Sequence, residues 1–253
     1  MTTELGTVTT TVADGIATIT FFHPRSNSLP GALLRRIAGA FDEVGANDDV
    51  KVIVLRSEGD KAFCAGASFD ELCAVKDMAA AVYFFSGFAT LILAMRRCPQ
   101  FVICRVQGKT AGGGVGVAAA ADYTVASVDA AARLSELAIG IGPFIIGPVV
   151  ERKIGPAAFA EMAIDADWRD AAWAKARGLY VDVHPTIALL DAAVDGLARK
   201  LAGCHDIAMR RLKTVLWEGT EHWPELLPAR ARITSELALT EFVQKTVAGL
   251  QGR

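Results

Sequence analysis

The stretch VICRVQGKTAGGGVGVAAAADYTVAS, Val102 to Ser127, decides the fold that this sequence predicts. Its apolar start, which belongs to the segment Phe101–Gln107, predicts a buried strand. Gly112–Gly114 then opens a short Ala-rich helix that runs to about Ala121. Tyr123–Ala126 predicts the next strand. A strand, a helix and another strand in succession are typical of α/β proteins.

The chain on both sides of this stretch continues the pattern. Three further strands are predicted, Val8–Val12, Ile16–Phe22 and Lys51–Arg56. A helix is predicted up to Val44, with Ser28 or Asn27 as its N-cap. From Pro156 onward the sequence is mainly helical. We therefore predict an α/β fold with a helical C-terminal part.

The composition excludes several classes of protein. The 253 residues carry 26 Lys and Arg against 28 Asp and Glu, a net charge of −2, and 52% are hydrophobic. These values exclude a disordered chain and provide no basic surface for nucleic acid. Five cysteines without paired short spacing predict neither a disulfide framework nor a metal site. Met1–Ala13 lacks a cationic start and an apolar run, so we expect no secretory signal and a cytoplasmic location.

One segment is apolar enough to raise the question of a membrane span. Met78–Met95 is 18 residues long and carries no charge, which is near the length that crosses a bilayer. Phe84, Phe88 and Leu91 form one apolar stripe of this helix. A helix that is apolar nearly all round is either a membrane span or deeply buried. Because no basic cluster lies beside it, we expect a buried helix and no membrane contact.

Three roles are open for the glycine run Gly112–Gly114. The first N–H groups of a helix have no partner within the helix. They bind a phosphate in dinucleotide sites, and Gly114–Ala119 matches the pattern G-x-G-x-x-A. In other enzymes such N–H groups form an oxyanion hole. Here a second small-residue loop, Cys64–Ser68, follows the strand Lys51–Arg56 and would supply another N–H donor. Tight packing alone is the third role.

Four motifs in order along the chain resemble the enoyl-CoA hydratase/isomerase (crotonase) superfamily. They are KAFCAGASFDEL (Lys61–Leu72), the Val102–Ser127 stretch, LSELAIGIGP (Leu134–Pro143) and AKARGLYVDV (Ala174–Val183). The resemblance implies an α/β fold that is a ClpP-like spiral of ββα units. It implies a spiral core at residues 1–195 and a helical trimerisation region at residues 196–253, in a homotrimer or homohexamer.

The resemblance also assigns the reacting centre. The backbone N–H groups of Ala67 and Gly113 would form the oxyanion hole for the thioester carbonyl of an acyl-CoA, and Glu136 would transfer protons. The apolar neighbours of Glu136 predict a raised pKa for its carboxyl group. The family's hydratases use two glutamates, and the position of the first is Gly116 here. No cofactor is implied, because CoA is part of the substrate, and no metal.

Further residues are candidates for binding the substrate. These are Arg25, Lys61 and Lys109 for the CoA phosphates, Ala65, Gly112 and Pro143 in the motif loops, and Phe84 and Phe144 around the acyl group. Ser68 stands where the family has an aspartate, and Leu250 or Phe242 would replace an aromatic residue that often covers the CoA from a neighbouring subunit. The four histidines, His23, His184, His205 and His222, match no catalytic arrangement.

The predicted function is acyl-CoA chemistry through a thioester enolate, either hydration or double-bond isomerisation of an enoyl-CoA. The missing glutamate at Gly116 favours isomerisation, whereas overall similarity favours hydration. One alternative is a non-catalytic acyl-CoA-binding protein whose site has decayed at Gly116 and Phe144. Another is a dinucleotide-binding oxidoreductase that uses Gly114–Ala119.

Overall fold

The computed structural model describes residues 5–251, so the first four residues of the segment tested for a secretory signal lie outside the described residues. The strands are β1 (Thr7–Ala13), β2 (Ile16–Phe22), β3 (Val52–Ser57), β4 (Phe101–Val106), β5 (Thr110–Ala111), β6 (Tyr123–Ser127), β7 (Ala131–Arg133), β8 (Arg169–Asp170) and β9 (Asp182–His184). The α-helices are α1 (Gly31–Gly45), α2 (Phe69–Ala74), α3 (Met78–Arg97), α4 (Gly113–Ala120), α5 (Gly147–Ile154), α6 (Pro156–Asp165), α7 (Ala171–Ala176), α8 (Ile187–Ala202), α9 (Asp206–Leu216), α10 (Trp223–Ala238) and α11 (Glu241–Gln251). A 3-10 helix spans Leu137–Ile139. This order confirms the predicted α/β alternation and the helical C-terminal part.

A six-stranded sheet in the order β1-β2-β3-β4-β6-β9 forms the centre of the molecule. β1 and β2 pair in antiparallel fashion, and each later pair in this sheet is parallel. The hairpin turns at Asp14 and Gly15, which have φ of 52° and 77°, as a tight two-residue turn requires. Because β3 and β4 are parallel neighbours, the loops that follow them leave the same edge of the sheet. Both glycine-containing loops therefore start at one edge.

Helix α3 is long and apolar; it begins at Met78, as predicted, and ends at Arg97, two residues beyond the uncharged segment. Within residues 5–251 it is the one helix whose length and composition, with a mean hydropathy of 1.9, would allow it to cross a membrane. Phe84, Leu91 and Met95 are nevertheless fully buried inside the protein. Helices α1 and α10 both pack against α3. The apolar character of α3 is thus accounted for by a central position in the core.

The start of α1 differs from the prediction. Ser28 and Asn27 make no cap hydrogen bond, and the helix begins at Gly31. The Gly31 N–H donates to Glu71 Oε2 of α2 at 2.7 Å. The Glu71 carboxylate, from a distant part of the chain, therefore caps the helix. The Asn27 amide instead donates to the Glu58 carbonyl oxygen at 2.9 Å. The predicted cap was wrong because Asn27 braces the loop after β3.

A buried ion pair joins the C-terminal helices to the sheet. Just before β6, Asp122 accepts hydrogen bonds from the Val102 N–H at 2.8 Å and from the Trp217 indole N–H at 2.7 Å. The Lys213 ammonium of α9 lies 3.1 Å from the same carboxylate, and only 3% and 7% of the two side chains are exposed. The predicted division at residue 195 falls inside α8, which is continuous.

Candidate active site

A cavity of about 250 Å³ lies between the two glycine-containing loops, α3 and the segment around residues 135–146. Its wall includes Ala67, Gly113 and Glu136, so the structure brings the three residues assigned to the reacting centre to one place. The rest of the wall is mostly apolar, and Glu136 is its one titratable side chain among residues 5–251.

Backbone contacts hold the two loops against each other. The Ala111 N–H donates to the Cys64 carbonyl oxygen at 2.9 Å. Ala67 forms a single parallel bridge with Leu29. Gly66 has a φ of +89°, and a Cβ added to it would lie 2.7 Å from the Ala111 carbonyl oxygen. Only glycine fits there, because both the positive φ and the close approach exclude a side chain.

Two backbone N–H groups at this junction are available to a ligand. Within the described part of the chain, the amides of Ala67 and Gly113 have no acceptor. Gly113 is the first residue of α4, where N–H groups have no partner in the helix and the helix dipole is positive. The Gly113 nitrogen lies 3.5 Å from the position that a Cβ on Gly66 would take, so the loops meet at these amides. Such paired donors stabilise an oxygen on which negative charge develops.

The Glu136 carboxyl group faces the cavity without a counter-charge. Its Oε2 is buried and has no hydrogen-bond partner among the described residues. Burial raises the pKa of Glu136 from its ordinary value of 4.5 to about 7, against the smaller lowering by the N–H groups of Glu136 and Ser135. The Glu136 carbonyl oxygen accepts from the Ile139 and Ile141 N–H groups at 3.2 and 3.1 Å, which fixes the turn that carries it. A carboxyl group with this pKa can both accept and donate a proton near neutral pH.

Two glycines of α4 are packed against other side chains. A Cβ on Gly116 would lie 2.4 Å from Ile146 Cγ2, and one on Gly114 would lie 2.8 Å from Cys64 Sγ. Neither glycine therefore leaves the open space that the pyrophosphate of a dinucleotide needs. With Ile146 in place, a glutamate at position 116 would also clash. The Ile146 side chain therefore occupies the space that a glutamate at position 116 would need.

Most of the predicted acyl-group and loop contacts lie in the cavity wall, and one does not. Ala65, Gly112, Pro143 and Phe144 line it. The prediction for Phe84 is corrected, because its side chain is fully buried and lies outside the wall. Phe85 and Phe88 take this place, since residues three apart share a helix face. Phe84 instead lies near α1, where a Cβ on Gly31 would be 3.5 Å from its Cα.

The three predicted CoA-phosphate cations lie outside the cavity wall. Arg25 is exposed and lies 3.7 Å from the Asp70 carboxylate. Lys61 is exposed, and the Lys109 ammonium lies 5.2 Å from the centroid of the Trp168 ring. All three are on the surface, and their role in CoA binding stays a prediction.

Sequence reasoning missed two polar residues of the wall. Ser135 and Thr234 line the cavity but were not candidates. Ser135 adjoins Glu136 in the motif and could have been found from that position, whereas nothing local marks Thr234 on α10. Of the two residues considered for the missing C-terminal aromatic, Leu250 lines the cavity. Phe242 packs on Gly140, where an added Cβ would lie 2.6 Å from its ring.

Comparison with known proteins adds to this geometry. The family model described as enoyl-CoA hydratase/isomerase matches residues 11–250 of the chain. The mitochondrial methylglutaconyl-CoA hydratase of Rattus norvegicus is 32% identical over 199 residues, which cover 77% of this chain and 63% of that protein. The (E)-benzylidenesuccinyl-CoA hydratase of Thauera aromatica is 27% identical, and the match covers 81% of this chain and 80% of that one.

A third relative is matched over a shorter stretch. The (7aS)-7a-methyl-1,5-dioxo-2,3,5,6,7,7a-hexahydro-1H-indene-carboxyl-CoA hydrolase of Rhodococcus jostii is 36% identical over 133 residues, 53% of this chain. This match spans about half, 51%, of that relative's length. Among solved structures, an enoyl-CoA hydratase from Mycobacterium avium has a TM-score of 0.85 at 25% identity, covering 98% of this chain and 97% of that one. The predicted crotonase fold is confirmed by this likeness.

Proposed function

Because the chain belongs to the enoyl-CoA hydratase/isomerase family, we propose that it is an enzyme that forms and protonates the enolate of an acyl-CoA thioester. The observation that carries the proposal is one cavity that holds an unpartnered carboxyl group, Glu136, and two free N–H groups, those of Ala67 and Gly113. The substrate is a CoA thioester, and no further cofactor takes part.

The two N–H groups would act on the thioester oxygen. When a proton leaves the carbon next to the thioester, negative charge moves onto the carbonyl oxygen. Donors from Ala67 and Gly113 are already in place at the loop junction, so they stabilise that charge without reorganising. In other enzymes, loss of one such donor costs about 10²–10³-fold in rate. Backbone donors make the site insensitive to side-chain identity as long as the residues are small.

The protons would be moved by Glu136. In isomerisation, the Glu136 carboxylate takes a proton from the α-carbon of a 3-enoyl-CoA. The resulting carboxylic acid returns this proton to the γ-carbon. The double bond thereby moves into conjugation with the thioester carbonyl, and no other reactant is consumed. One carboxyl group is sufficient for this shuttle. The packing of Ile146 against Gly116 supports this version, because it leaves no room for a second carboxylate there.

Hydration is the second candidate, and the named activities of relatives favour it. Both the rat and the Thauera relatives are hydratases by name. In this version Glu136 would deprotonate a water as it adds to the β-carbon of a 2-enoyl-CoA, and the same carboxyl group would then protonate the α-carbon. Both versions use one enolate and one oxyanion hole, so they share the same machinery.

An assay with two substrates separates these versions. Turnover of a 3-enoyl-CoA is expected with wild-type protein, and Glu136→Gln should lower kcat by about 10²–10⁴-fold, the usual contribution of a general base. Turnover of a 2-enoyl-CoA alone would select hydration. Full activity of the glutamine variant would contradict the role of Glu136. If CoA esters bind in calorimetry but neither substrate turns over, the protein is the non-catalytic acyl-CoA-binding member.

We also propose that the protein is a homotrimer or a homohexamer. Helix α9 carries large apolar side chains that are exposed in the single chain, and these are Ile207, Leu212, Val215 and Leu216. An exposed apolar stripe of this kind is typical of a subunit interface. Light scattering coupled to size exclusion should give three or six copies, and Leu212→Glu should reduce that number. A monomeric wild-type protein would refute the proposal.

A further inference from the structure

The Ser135 hydroxyl group and the Glu136 carboxyl group both lie on the cavity wall. A Cβ on Gly112 would lie 3.4 Å from Glu136 Oε1 and 3.5 Å from Ser135 Oγ. Both oxygen atoms therefore approach the same point of the loop that carries the Gly113 amide. Both side chains also line the cavity. The hydroxyl thus shares the surroundings of the proposed proton-transfer group.

The hydroxyl of Ser135 is not used elsewhere in the protein. Between residues 5 and 251 it has no hydrogen-bond partner, whereas the other hydroxyl of the wall, Thr234, donates to the Arg230 carbonyl oxygen at 3.2 Å. The Ser135 hydroxyl is therefore free to donate to the neighbouring carboxylate.

The backbone of Ser135 acts on the same carboxylate. Its N–H favours the charged form of Glu136 and so lowers the pKa of that group, against the larger effect of burial. No other acidic or basic side chain of the described residues lines the cavity. Ser135 therefore brings two donors, its N–H and its hydroxyl, close to one carboxylate.

We propose that Ser135 is a positioning residue for Glu136. The N–H and hydroxyl groups of Ser135 hold the Glu136 carboxylate near the loop that carries the Gly113 amide. This inference rests on the proposed function. In either version of the reaction, the Glu136 carboxyl group must stay in the cavity while it holds a proton. Two donors from the preceding residue fix the carboxylate within reach of the carbon that is deprotonated.

The test compares three variants of the full-length protein over about pH 5–9. Ser135→Pro removes both donors and Ser135→Ala removes only the hydroxyl. The matched control, Ser235→Ala, removes a serine hydroxyl that lies outside the cavity wall and donates to the Ala231 carbonyl oxygen within α10. We expect Ser135→Pro to move the acid limb of kcat/KM upward by about one pH unit. Ser135→Ala should lower kcat about 3–10-fold with KM unchanged, and Ser235→Ala should change neither.

A second measurement reads the Glu136 carboxyl group without turnover. The stability difference between each protein and the same protein carrying Glu136→Gln is followed against pH. This difference stops changing once the Glu136 carboxyl group of the folded protein has ionised, so the pH at which it levels off reports that ionisation. Ser135→Pro should move this pH upward as well. Should the proline variant not fold, Ser135→Ala carries the test, with a smaller upward move.

The outcomes separate the two proposals. If wild type turns over and Glu136→Gln does not, but the serine variants match wild type in both measurements, the role of Ser135 is wrong and the proposed function stands. If no enoyl-CoA turns over, the proposed function fails, and the pH at which the stability difference levels off decides alone whether Ser135 acts on Glu136. An equal loss of activity in Ser135→Ala and Ser235→Ala would also overturn the inference, because it would show only a general disturbance of packing.

Discussion

Replacing Glu136 by glutamine is expected to make the protein more stable at alkaline pH while it removes activity. The glutamine keeps the size and shape of the side chain but cannot ionise. In the wild-type protein the ionised carboxylate is held in an apolar wall, where burial disfavours the charge and Oε2 has no partner among the described residues. The substitution therefore removes an electrostatic cost of folding.

The size of the effect follows from the pKa of Glu136 in the folded protein. The pKa of about 7, against the ordinary value of 4.5, corresponds to about 3 kcal/mol at roughly 1.4 kcal/mol per pH unit. Below pH 4.5 the carboxyl group is protonated in both states, so the penalty is absent there. As the pH rises past 4.5 the unfolded chain ionises first, and stability falls until the folded carboxyl group also ionises near pH 7. Above that pH the full penalty is present.

Thermal and urea unfolding between about pH 4 and pH 9 would measure this difference. We expect no difference near pH 4, and a glutamine variant about 3 kcal/mol more stable at pH 8 to 9, or roughly 5–10 °C higher in Tm. The exposed Glu43 of α1 provides the control, and Glu43→Gln should show no such trend. A stability difference that is the same at every pH, or one that favours wild type at pH 8, would refute the reasoning about burial.

Three further predictions use the same assays. Gly116→Ala should destabilise the protein by about 1–3 kcal/mol through overpacking against Ile146. In the double variant with Ile146→Ala, the loss of stability should be smaller than the sum of the two single losses. Strict additivity of the two losses would contradict the contact. Lys213→Met leaves the Asp122 carboxylate buried and unpaired and should cost about 3–5 kcal/mol in urea unfolding; a loss below about 1 kcal/mol would mean that the pair is not formed. The kcat/KM of the wild type should rise with pH through a midpoint near 7 as Glu136 ionises, and a flat profile from about pH 5 to 9 would argue against this base.

The elements of the fold were predictable where burial leaves a pattern in the sequence. The strands β3 and β4 and the whole of α3 are continuous apolar segments, and their predicted bounds agree with the structure to within a residue or so. The loops that carry Ala67 and Gly113 were located from small residues after strands. Their convergence on one cavity follows from the parallel pairing of β3 and β4.

The contacts that the sequence did not reveal all join distant parts of the chain. The Gly31 amide is capped by Glu71, which lies forty residues away. An all-round apolar helix such as α3 does not show which face meets the cavity, and so Phe84 was chosen in place of Phe85. The contact of Ile146 with Gly116 depends on how the segment after Pro143 folds back over α4. No local pattern encodes such contacts, because they arise only when the core is assembled.

The fit between Gly116 and Ile146 constrains how this protein can evolve. A carboxylate at position 116 would meet the Ile146 side chain, since even a Cβ would lie 2.4 Å from Cγ2. A larger residue at position 116 therefore requires a smaller one at position 146. Either change made alone costs stability, by overpacking in one case and by a void in the other. The two positions form an epistatic pair. Packing alone therefore opposes a second carboxylate at position 116, independently of any selection on the reaction.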